Sequence, residues 1–191
     1  ILSFARHIPA FSLLATTSVR NSRSNLKRSF IIGRPSTSCS MTTSADKSVD
    51  ELLVGQMQVS VPDAVKVHGQ PGVVFVDGSW WMPNQDRVAR QDFEQGPRIS
   101  GAVFFDIDDV AAVAAENPKQ LPHMMPSPKT FGAWMDLNSV QNNDHLIVYG
   151  PDKCPFTHRA WYQLLAMGHD SNKLHLLAGS MQEFADAGGP M

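Results

Sequence analysis

The sequence predicts an α/β domain with a mostly parallel sheet covered by helices on both faces. Two observations carry this. The apolar runs at Val73–Asp77 and Leu146–Tyr149 are continuous rather than alternating, as expected of strands buried on both sides. Segments with helical spacing lie between the apolar runs, and strand-helix alternation of this kind builds parallel sheets. No internal repeat is visible.

Met57–Ser60 reads as a short edge strand, and Ser60 with Asp63 offers a helix start for Pro62–Val67. Gly69-Gln70-Pro71-Gly72 is a turn. Val73–Asp77 is the first core strand. Asp86–Gln95 has helical spacing and ends at a Gly-Pro break, and Gly101–Asp106 reads as a second buried strand. Asp108 or Asp109 is expected to cap an alanine-rich helix reaching Glu116. Asn117–Pro128 is proline-rich and reads as an ordered surface loop. Ser127 caps a helix from Pro128 to about Leu137, with Phe131, Trp134 and Met135 inward. Strand Leu146–Tyr149 leads through a polar loop into a helix that Thr157 or Asp152 caps and Gly168 stops. Leu174–Leu177 is a further strand, and Gly179–Ala187 a last helix.

The chain has 191 residues, room for one domain and a tail. Its formal charge of −2 is unevenly divided: Arg6, Arg20, Arg23, Lys27, Arg28 and Arg34 all precede the first acid, Asp46. The remainder is therefore acidic, with no basic stripe, so nucleic acid is not expected as a partner. Residues 1–50 read as a mostly disordered leader and 51–191 as the domain. The leader's arginines and serines, with the apolar run Ile8–Ala15, have the composition of an organellar transit peptide, mitochondrial before plastid, with a cytoplasmic location as the alternative. No apolar run has the roughly 18 residues that a membrane helix needs, so no membrane partner is expected. Cys39 and Cys154 lie too far apart for zinc-ligand spacing, and neither a metal nor another cofactor is implied.

In open α/β sheets, ligands bind beyond the carboxyl ends of strands, which points to the loop Pro151–His158. In Cys154-Pro155-Phe156-Thr157-His158-Arg159, Cys154 is a candidate nucleophile with a C-x4-R outline. Against it stand its distance from the strand end, the missing N–H of Pro155 and the absence of glycine inside the loop. The alternative is an inert loop cysteine. A phosphatase signature would need one more residue between Cys and Arg. Arg159 either faces an anionic substrate or pairs with Asp77 or Asp106 within the fold. His123 and His158 read as surface histidines, and Asp106, Asp108 and Asp109 as caps.

A family resemblance runs through the same motifs. Val74-Phe75-Val76-Asp77-Gly78-Ser79-Trp80-Trp81, Ile99–Ile107, Leu121-Pro122-His123-Met124-Met125-Pro126-Ser127-Pro128, His158-Arg159-Ala160-Trp161 and Leu177-Ala178-Gly179-Ser180 resemble, in order, successive blocks of a rhodanese domain. The resemblance covers about Val54 to Met191. It is greatest to the first domain of tandem thiosulfate or 3-mercaptopyruvate sulfurtransferases. It implies a rhodanese-like sheet and the transfer of a sulfane sulfur through a cysteine persulfide to a thiophilic acceptor. In that family the cysteine directly follows the strand equivalent to Leu146–Tyr149, in the second domain. Here Gly150 stands there, as a non-catalytic first domain implies, so the chain alone is expected to be inactive. Trp80 resembles an aromatic beside the cleft, its alternative being core packing, and Arg159 belongs to the same cleft or interdomain surface. The implied partner is a small sulfur donor bound through a second rhodanese domain, which makes the chain a fragment. The alternative is a stand-alone, non-catalytic binding or scaffold module.

Overall fold

A computed structural model describes residues 47–152 and 154–191. The expected leader, with Cys39, lies almost entirely outside the described residues.

Five strands form one parallel sheet in the order β1-β5-β4-β2-β3, with β1 Gln58–Ser60, β2 Val73–Asp77, β3 Val103–Phe104, β4 His145–Tyr149 and β5 Leu174–Ala178. The helices are α1 Val49–Leu53, α2 Val61–Val67, α3 Ala89–Gln95, α4 Pro128–Leu137, α5 Thr157–Ala166 and α6 Met181–Asp186. Side chains alternate along β4. Leu146 and Val148 enter a core with Phe131, Trp134, Ala160 and Leu164 of α4 and α5. Ile147 and Tyr149 enter another with residues of α1, α2 and α6. Both faces are therefore covered, which explains why β4 is apolar throughout after His145.

Local chemistry sets most boundaries. Ser60 accepts from the Asp63 N–H at the start of α2, and Ser127 from the Thr130 N–H at the start of α4. Ser48 and Glu51 form a capping box on α1, a helix beginning two residues before the boundary expected at 50/51. Ser180 and Glu183 do the same on α6. Gly168, at φ 97°, ends the turn after α5, where a side chain would be strained.

Three expectations change. No helix forms from Asp108 to Glu116. The Val110 N–H bonds back to the Asp106 carbonyl, but the Ala112 N–H crosses to Met124, closing the segment as a loop. Asp106 rather than Asp108 makes the local turn, accepting from the Asp108 N–H at 3.0 Å. The strand expected over Gly101–Asp106 is limited to Val103–Phe104, and the helix expected from Asp86 starts at Ala89.

Candidate functional site

The carboxyl end of β4 is closed by a close approach of two elements. A Cβ placed on Gly150 would lie 2.2 Å from Thr157 Oγ1 and 3.5 Å from Thr157 Cγ2. The position directly after the strand is thus filled by the first residue of α5. Neither Thr157 nor Asp152 caps that helix. Phe156 is the N-cap residue, and it packs edge-on against Trp80 at 4.5 Å, so aromatic packing fixes where the helix begins. Pro151, Cys154, Thr157 and His158 line a small cavity of about 200 Å³.

Cys154 is 7% exposed. Its N–H closes a turn onto the Pro151 carbonyl, and its Sγ lies 3.4 Å from the Trp80 carbonyl, to which the thiol donates. A sulfur nucleophile needs N–H donors converging on a thiolate. This sulfur instead meets an acceptor, the Trp80 carbonyl.

Trp80 is the centre of a polar and aromatic cluster. Its indole N–H donates to Asp108 Oδ2 at 2.7 Å, and the His123 ring stands edge-on to it at 4.8 Å. His123 Nδ1 lies 3.0 Å from Asp108 Oδ1, an ion-pair distance without hydrogen-bond alignment. His123 also has a φ of 55°, a left-handed conformation that costs a non-glycine residue about 1 kcal/mol or more. Arg159 pairs with neither Asp77 nor Asp106. It donates to the His123 carbonyl at 2.9 Å and to Gln163 Oε1 at 2.8 Å. Gln163, 1% exposed, turns its amide N–H onto the Val110 carbonyl. The two side chains tie the 106–127 loop to α5 at both of its ends.

Asp77 ends β2 and is buried. Burial raises its pKa, against hydrogen bonds from the Ser79 hydroxyl and N–H that stabilise the charge. It borders a cavity of about 350 Å³ with Trp81, Arg87 and Asp92. Arg87 stacks on the Trp81 ring at 3.9 Å, and both side chains donate to Asp92 Oδ2. Asp106 is likewise shifted upward by burial, and lies 3.6 Å from Arg90. His158 is exposed near the start of α5. Among the described residues, no group of three His, Cys, Asp or Glu side chains is placed to hold a metal ion, and no helix is long and apolar enough to cross a membrane.

The structure thus brings Trp80, Cys154 and Arg159 to one end of the sheet. It adds two features that the sequence reading missed, the Asp108–His123 pair and Gln163. The signal for Gln163 was a polar residue between Ala160 and Leu164 on an otherwise inward face.

A parallel five-stranded sheet in this order, with helices on both faces, gives the domain a rhodanese-like fold, matching its neighbours among solved structures. Its relatives are thiosulfate and 3-mercaptopyruvate sulfurtransferases. The mitochondrial thiosulfate/3-mercaptopyruvate sulfurtransferase 1 of Arabidopsis thaliana is 27% identical over 155 residues, 81% of this chain and 39% of that protein. The 3-mercaptopyruvate sulfurtransferase of Escherichia coli K12 is 35% identical over 112 residues, 58% of this chain and 37% of that protein. Among solved structures, SseA from Escherichia coli, described with the rhodanese fold of 3-mercaptopyruvate sulfotransferases, superposes with a TM-score of 0.60 at 30% identity. That match covers 69% of this chain and 48% of SseA. The matches span 37% to 48% of the length of these relatives. No family model matches it.

Proposed function

We propose that this chain is the first, non-catalytic domain of a thiosulfate/3-mercaptopyruvate sulfurtransferase, working beside a second rhodanese domain that carries the persulfide-forming cysteine. The observation that carries the proposal is the filled position after β4. Thr157 occupies the space that a side chain at Gly150 would need, and the one described cysteine donates to a carbonyl. The domain's contribution is one wall of the cleft, with Trp80 held by Asp108, and the His123 loop held by Arg159 and Gln163. Met82, near Trp80, and Leu121 and Met124, flanking His123, are 43% to 49% exposed, apolar surface of the kind a second domain covers. Composition of the leader and the mitochondrial Arabidopsis relative support a mitochondrial location.

The test is thiosulfate:cyanide sulfurtransferase activity of the purified chain. The expected result is no turnover above the uncatalysed rate. Turnover comparable to that of the Escherichia coli relative would overturn the proposal.

A further inference from the structure

Two buried histidines lie side by side in the sheet. His145 opens β4 and His175 is the second residue of β5; their rings stack 13° from parallel with centroids 5.3 Å apart. Three contacts thread through them: Asp50 Oδ1 to His145 Nε2 at 2.8 Å, His145 Nδ1 to His175 Nε2 at 3.0 Å, and His175 Nδ1 to the Gln56 carbonyl. A carboxylate stands at one end and a carbonyl at the other, and both only accept. His145 Nε2 and His175 Nδ1 must therefore each carry a hydrogen, and the central N···N contact needs a third. Two neutral imidazoles supply only two.

We infer that the His145–His175 pair holds one proton more than two neutral imidazoles, balanced by Asp50, and thereby forms a proton-dependent latch fastening α1 and the Gln56 turn to the sheet. The extra proton belongs on His145, beside the carboxylate. Burial favours the neutral form of His175, and the hydrogen bond from His145 holds Asp50 in its charged form. Other groups face the pair. Lys173 competes for the charge of Asp50. His169, kept toward its neutral form by burial, donates from Nε2 to the Asp144 carbonyl at 3.0 Å, with the Asp144 and Asp170 carboxylates nearby.

The latch has a definite sign. Above about pH 6.5 an unfolded chain leaves both imidazoles neutral, so the folded state binds one proton more. The pair's contribution to stability then falls about tenfold in the folding constant per pH unit, until the pair releases its proton. Below that pH the unfolded chain binds two extra protons against one, and the slope reverses. After release, one of the three contacts sets acceptor against acceptor. The elements that give way are α1, whose Asp50 side chain is 70% exposed, and the three-residue edge strand β1, which pairs only with β5.

Two measurements on the full chain test this. Nitrogen-15 NMR of its histidines at pH 7 should show one ring, His145, protonated on both nitrogens and His175 as the Nδ1–H tautomer. Hydrogen exchange from pH 6.5 to 9, corrected for intrinsic base catalysis, should show α1 and the Leu176 amide, which donates to the Met57 carbonyl, losing up to about tenfold protection per pH unit relative to β2. Asp50→Asn, at an exposed position, should fold normally and move that loss to lower pH. Two neutral rings at pH 7, or protection of α1 that ignores pH in both proteins, would overturn the inference.

Discussion

Adding a single methyl group at Gly150 probes the closed loop directly. In Gly150→Ala the new Cβ meets Thr157 Oγ1 at 2.2 Å, and turning the threonine brings up Cγ2, which already lies 3.5 Å away. A β-branched side chain on a helix has little rotamer freedom with which to escape. The φ of Gly150 is not positive, so backbone strain adds nothing, and the whole effect is overpacking. Such overpacking costs about 1–3 kcal/mol, a fall in Tm of roughly 2–10 °C for a domain of this size. The assay is thermal unfolding by circular dichroism, with Thr157→Ala made alone and in combination. Gly150→Ala should lower Tm, and Thr157→Ala should restore most of the loss, giving a favourable coupling between the two sites. An unchanged Tm in Gly150→Ala, or additive losses in the double variant, would refute the reasoning that Thr157 fills the position.

Other expected outcomes follow from the same geometry. Gln163→Leu leaves the Val110 carbonyl and one side of Arg159 unpaired, so it should cost about 1–3 kcal/mol in denaturant titration and speed hydrogen exchange across residues 106–127. Asp77 is held toward its neutral form by burial, so its charge opposes folding at neutral pH. Asp77→Asn should be stabilising at pH 7, with the gain shrinking as pH falls toward 4; a loss of stability at pH 7 that is independent of pH would contradict this. Cys154→Ser keeps a donor for the Trp80 carbonyl and should leave Tm within a degree or two.

The sheet was legible because its strands are short, apolar and set between capped helices. Ser60, Ser127 and the continuous run Leu146–Tyr149 each announced a local structure that tertiary packing then reinforced. The 106–127 segment was not legible in the same way. Its alanines favour helix, but the bond from Ala112 to Met124 is a pairing between distant parts of a loop, and no local pattern marks it. The site divided along the same line. Gly150 and Cys154 were readable because they lie within one loop, whereas the partners of Arg159 depend on where the His123 backbone returns. The acids Asp77 and Asp106 were reasonable partners on charge alone, yet Ser79 and Arg90 reach them instead. The histidine pair escaped notice because its members stand 30 residues apart and meet only through strand register.

Whether Cys154 accepts sulfur is the most direct test of the central claim. The full chain would be incubated with thiosulfate or 3-mercaptopyruvate, digested, and its cysteine peptides mapped by mass spectrometry. A buried thiol donating to the Trp80 carbonyl predicts no sulfur added to the Cys154 peptide. Stable gain of one sulfur atom on that peptide, absent in Cys154→Ser, would contradict the account and make this domain a sulfur carrier in its own right.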